Sequence, residues 1–76
     1  MTAYTAVTAR ITDTYRAPAI RRALRLAGLG YNPRRRQWEA YCPTGTRGVR
    51  LVVQKLRPIT GITYRTLTPA EWKNQL

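Results

Sequence analysis

The segment Gly30-Tyr31-Asn32-Pro33-Arg34-Arg35-Arg36-Gln37-Trp38-Glu39-Ala40-Tyr41-Cys42 decides the fold. It sets aromatic residues on both sides of a polar turn. Asn32 favours a turn because its side chain accepts backbone bonds, and Pro33 because its φ is preset. The segment therefore reads as a β-hairpin in which Tyr31 and Trp38 are placed to meet across the two strands. In the returning arm Trp38, Ala40 and Cys42 share one face, and Gln37, Glu39 and Tyr41 share the other. Three consecutive arginines, Arg34, Arg35 and Arg36, occupy the tip.

On the N-terminal side of the hairpin, Ile20, Ala23, Leu24 and Ala27 form a single apolar stripe at helical spacing, with Arg21, Arg22 and Arg25 off it. Pro18 suits the first turn of this helix, and Gly28 and Gly30 suit its exit near Ala27. Before it, Val7, Ala9 and Ile11 alternate with Thr8, Arg10 and Thr12, which predicts a half-buried strand from about Tyr4 to Thr12. Alternation slips between Ala6 and Val7, as at a bulge or an irregular strand start. On the C-terminal side, Val49, Val52, Val53 and Leu56 fall at i, i+3, i+4 and i+7, predicting a helix from Arg47 to Arg57 with Thr44 and Thr46 as N-cap candidates. Pro58 stops it. Ile62, Tyr64 and Thr66 then alternate with Thr63, Arg65 and Leu67 as a last strand. Thr68-Pro69-Ala70-Glu71 is a capping-box pattern, so a short helical turn follows and folds Trp72 back as a cover.

The order is strand, helix, hairpin, helix, strand. It predicts one α+β domain spanning residues 1–76, a β-α-β-β-α-β chain of the split β-α-β, ferredoxin-like kind, with an antiparallel sheet, two helices on one face and the other face open.

Residues Ala23 to Trp38 carry a compact pattern of helix end, glycine, aromatic, Asn-Pro, basic residues and tryptophan. Over residues 20–42 the chain resembles a family of small α+β modules found in phage, plasmid and DNA-processing proteins. The resemblance implies that Gly28 is the helix stop, Asn32-Pro33 the turn and Trp38 the return-strand aromatic. It also implies a mobile-element setting.

Composition excludes several chemistries. The chain has 76 residues and no histidine. A domain this small buries only about 60% of its unfolded surface, which leaves little room for a deep enclosed pocket. Cys42 is the only cysteine, so it can form neither an intrachain disulfide nor a thiolate zinc cluster, and as a nucleophile it has no histidine base. The three carboxylates, Asp13, Glu39 and Glu71, are scattered and form no paired-carboxylate site. Thr44-Gly45-Thr46-Arg47-Gly48 precedes the second helix but lacks the Gly-Lys-Ser/Thr ending of a P-loop. We expect no enzyme, metal, cofactor or small-molecule substrate. No run of 18 apolar residues is present, and Met1-Thr2-Ala3-Tyr4-Thr5 lacks the pattern of a signal peptide. A cytoplasmic protein is expected, in the host cytoplasm if phage encoded, with no membrane partner.

Charge carries the functional signal. Fourteen Lys and Arg face three Asp and Glu, a formal net charge of +11. Such self-repulsion destabilises a compact state and points to a polyanionic partner. Twelve of these cations are arginine, whose planar fork binds phosphate bidentately and stacks on bases. The candidate contact residues are Arg21, Arg22, Arg25, Arg34, Arg35, Arg36, Arg47 and Arg50, with Tyr31 and Trp38 beside the tip. Arg57, Tyr41, Tyr64 and Trp72 are secondary candidates. Charged helix positions are usually solvated faces and aromatics in so small a domain are more often core, so convergence on one surface decides between the readings. The leading expectation is a non-enzymatic protein that binds nucleic acid mainly through arginine–phosphate contacts. The rival from another class is an anti-CRISPR-type inhibitor that docks its basic face on an acidic surface of a nucleoprotein complex and blocks nucleic-acid access. A ribosome-associated or RNA-packaging accessory role is a third.

Overall fold

Ile20, Leu24 and Ala27 recur on one side of a helical segment, and Val7, Ala9, Trp38 and Ala40 recur on one side of two strands. Burying these two surfaces against each other organises the chain. The structure, a computed structural model, describes residues 3–74. In order, its elements are β1 (Tyr4–Ile11), α1 (Ala17–Leu26), β2 (Gly30–Asn32), β3 (Gln37–Pro43), α2 (Gly48–Leu56), β4 (Ile62–Leu67) and α3 (Pro69–Lys73). The result is a small α+β domain with a four-stranded antiparallel sheet in the order β2-β3-β1-β4.

Register assigns each side chain to a face, because directly opposed residues project to the same side. Ala9 lies opposite Trp38, and Val7 opposite Ala40. Ile11 lies opposite Ile62. Val7, Ala9, Trp38 and Ala40 form the core with Ile20, Leu24, Ala27, Leu29 and Leu56, edged by the partly buried Ile11, Val49, Val52, Ile59 and Ile62. Leu24, Leu56 and Val7 are fully buried, each contributing roughly 1.5–3 kcal/mol of apolar transfer. The expected Tyr31–Trp38 pair is formed, the two residues being opposed and their rings edge-on at 5.5 Å.

Three local expectations are corrected. β1 carries no bulge: it pairs without interruption from Tyr4 to Ala9 with β3 and from Ala6 to Ile11 with β4. Alternation slips because Ala6, Val7, Thr8 and Ala9 are all buried, so both faces of the strand are covered there. The second face is not open throughout. Ala6 and Leu67 are buried but lie outside the helix-side core, and α3 packs against β1 and β4 with Trp72 edge-on to Tyr41 at 5.0 Å. The domain thus has three helices. Finally, α2 has no side-chain cap at Arg47. The Thr46 hydroxyl, one residue earlier, donates to the Pro43 carbonyl at 2.7 Å and accepts weakly from the amide of Gly48, the first residue of α2, at 3.4 Å, while Thr44 shares a 2.9 Å hydroxyl contact with Thr5. The capping box of α3 is present, with Thr68 and Glu71 bonding reciprocally. Among the described residues no helix is long and apolar enough to cross a membrane.

Gly61 closes the link from α2 into β4. Its φ is +80°, and a Cβ there would lie 2.8 Å from Asp13 Cβ and 3.0 Å from Ile20 Cδ1. Its carbonyl also accepts from the amides of Thr12 and Asp13 at 2.8 and 3.1 Å. Gly28 has φ +98° but open space around it. Gly28→Ala is therefore expected to cost about 1–2 kcal/mol from backbone strain alone, and Gly61→Ala more than that, since overpacking adds to the strain. Chemical denaturation of the two variants checks this; equal midpoints would contradict it.

Candidate nucleic-acid interface

The hairpin turn is built on Asn32. Its Oδ1 accepts from the Arg34 and Arg35 amides at 3.0 and 3.4 Å, an Asx-type turn. The backbone then passes through a left-handed position at Arg36, φ 53°, one seldom adopted by a residue with a Cβ. The three tip arginines consequently separate.

Arg35 folds back over the second face of the sheet. Its Nε donates to Glu39 Oε2 at 2.9 Å and one terminal nitrogen to Oε1 at 3.3 Å. Its guanidinium lies 4.2 Å from the centre of the Trp72 ring. Glu39 also accepts from Asn32 Nδ2 at 2.8 Å, Gln37 Nε2 at 2.7 Å and the Tyr41 hydroxyl at 2.6 Å. Burial pushes the Glu39 carboxyl up, but these bonds, led by that from Arg35, outweigh it and hold its pKa at about 2. Arg35 is thus part of the scaffold. Arg34 and Arg36 are exposed.

Arg36 turns toward α1. Arg21 and Arg25 lie four residues apart on one side of that helix, and Arg10 stands at the end of β1. Together Arg10, Arg21, Arg25, Arg36, Tyr31 and Thr14 line a cleft of about 610 Å³ floored by Ile11 and Trp38. No carboxylate lines it. Tyr31 is half exposed there, whereas Trp38 is only 4% exposed and lies beneath Arg25, whose guanidinium is 5.6 Å from its ring centre. Trp38 therefore supports the cleft from below, with no face available to stack on a base.

Of the ten residues expected from sequence, the cleft gathers Arg21, Arg25, Arg36, Tyr31 and, as floor, Trp38. Arg22 and Arg34 are exposed outside it. Arg47 is exposed before α2, and Arg50 lines a separate shallow surface with Arg57, Val49 and Val53. Arg10 was missed. Alternation places it on the polar side of β1, and only the fold shows that, just past the end of the β1–β3 ladder, it reaches a cleft shared with the hairpin turn and α1. The three acids all serve local structure: Asp13 accepts from the Arg16 amide at 3.3 Å, Glu39 holds the hairpin, and Glu71 closes the α3 capping box. Among the described residues the only ion pair is Arg35–Glu39, so the cleft arginines have no internal counter-charge. Compared with protein-family models, curated proteins and solved structures, the chain matches none.

Two outcomes are expected. The folded Glu39 pKa lies below its ordinary value of 4.5, so its contribution, on the order of 3 kcal/mol, is full above that value and disappears as pH falls toward 2. Denaturant midpoints should hold steady near neutrality and drop through this window, with most of the drop absent in Glu39→Gln; an equal drop in that variant would contradict the assignment. In addition, Arg35→Ala should lower the melting temperature while Arg34→Ala leaves it within error, because only Arg35 is bonded to the sheet. Equal melting curves for the two variants would count against the scaffold role.

Proposed function

We propose that this protein is a non-enzymatic nucleic-acid-binding domain that holds its ligand mainly by arginine–phosphate contacts in the cleft of Arg10, Arg21, Arg25 and Arg36. The observation that carries the reading is the convergence of four arginines and a half-exposed tyrosine on one concave surface lined by no carboxylate. Guanidinium forks suit phosphate oxygens, and the tyrosine offers a ring face to a base. The strand order β2-β3-β1-β4 supports reading the domain as ferredoxin-like, with α3 added outside that pattern. The likeness of residues 20–42 to phage, plasmid and DNA-processing modules supports a mobile-element origin.

A second reading, an anti-CRISPR-type inhibitor docked on an acidic nucleoprotein surface, is favoured by Tyr15 and Leu26. They stand 94% and 77% exposed, before the start and at the end of α1, and Tyr15 is of the aromatic type enriched at protein interfaces.

Fluorescence-anisotropy titration of labelled DNA and RNA across salt concentrations tests the first reading. Wild type should bind near physiological salt with a steep log–log slope. Arg21→Ala with Arg25→Ala should weaken binding and lower that slope by roughly 1.4–1.8, about 0.7–0.9 per lost phosphate contact, whereas Arg50→Ala should change neither. Negligible wild-type binding at physiological salt would overturn the nucleic-acid reading and leave the cleft to an acidic protein partner.

A further inference from the structure

A second concavity, of about 230 Å³, lies on the face of the sheet away from α1 and is lined by Thr8, Arg10, Gln37, Thr63 and Arg65. Arg10 belongs to both this concavity and the arginine cleft. Register explains the connection. The β1–β3 ladder ends at Ala9 and Trp38, while β1 continues beside β4 to Ile11 and Ile62. Arg10 thus stands just past the last β3 rung, where the hairpin steps from Arg36, a cleft residue, to Gln37, a residue of the sheet face. α3 and the Arg35–Trp72 contact close off the other half of that face.

We propose that the ligand is a single-stranded nucleic acid that leaves the arginine cleft, crosses beside Arg10 over the end of β3, and continues onto the sheet face at Thr63 and Arg65. This deepens the proposed function and rests on it. Following both concavities requires a chain that passes from one side of the sheet to the other around its edge. A duplex, with a persistence length of about 50 nm, does not bend on the scale of one small domain, whereas a single strand turns at each nucleotide and exposes bases to a ring such as Tyr31. Arg65 supplies the second phosphate contact, and the hydroxyl of the exposed Thr63 is a further donor of the kind that binds phosphate and sugar. Glu71 lies within electrostatic reach of Arg65, but its carboxylate is bonded back to Thr68 in the capping box.

The test uses the full chain with a labelled oligonucleotide of about a dozen residues, single-stranded or annealed to its complement. Wild type should favour the single strand. Arg65→Ala should weaken single-strand binding about fivefold, the size of one net polar contact, and lower its salt slope by about 0.7, leaving duplex affinity unchanged. Thr63→Glu, on the exposed edge strand, should weaken single-strand binding further, with melting curves confirming that both variants fold. Equal affinity for single strand and duplex, or single-strand binding that Arg21→Ala weakens and neither sheet-face variant does, would overturn this path while leaving the cleft reading intact. Absence of binding to either nucleic acid would overturn both.

Discussion

The Glu39 carboxylate is the contact on which the rest of the molecule depends. It stands near the middle of the sheet and accepts from the hairpin turn through Asn32, from the tip through Arg35, and from its own strand through Gln37 and Tyr41. Charge-assisted bonds of this kind are about twice as strong as neutral ones. Arg35 carries the connection onward to Trp72, and so to α3. One acid thereby ties together a turn, a sheet face and the third helix. A buried carboxylate with these partners removed would be costly, which makes the network a source of specificity for the hairpin conformation.

That arrangement also divides the arginines by role. Only three carboxylates are available in the chain, and each is engaged in local structure, so internal pairing cannot balance the basic residues. Arg35 is held. Arg10, Arg21, Arg25 and Arg36 are brought together by three elements far apart in sequence: the end of β1, one side of α1 and the turn into β3. Like charges gathered in one concave place repel, and a polyanion relieves that repulsion when it binds. Phosphate recognition is proposed from this uneven distribution of charge more than from net charge alone.

Most of the secondary structure was legible in the sequence because its signals are local. Pro18 and Gly28 mark α1, the Asn32-Pro33 turn marks the hairpin, and Thr68 with Glu71 marks the start of α3. The slip at Ala6–Val7 misled because burial on both faces of a central strand erases alternation, and that burial depends on α3, distant in sequence. The candidate site was legible only in part. Three adjacent arginines looked like one unit, yet the left-handed backbone at Arg36 separates them, sending Arg35 to Glu39 and Arg36 to the cleft. Arg10 stood in a regular alternating strand with no local mark. Its importance comes from where the β1–β3 ladder stops, a property of register that no local pattern contains.

The most direct measurement is a backbone and arginine side-chain NMR titration of the labelled protein with a short single-stranded oligonucleotide at physiological salt. Saturable shift changes centred on Arg10, Thr14, Arg21, Arg25, Tyr31 and Arg36, with Arg50 and Arg57 unmoved, are the predicted result. Changes confined to α2, or no saturable change anywhere, would contradict the assignment of the cleft as a nucleic-acid interface.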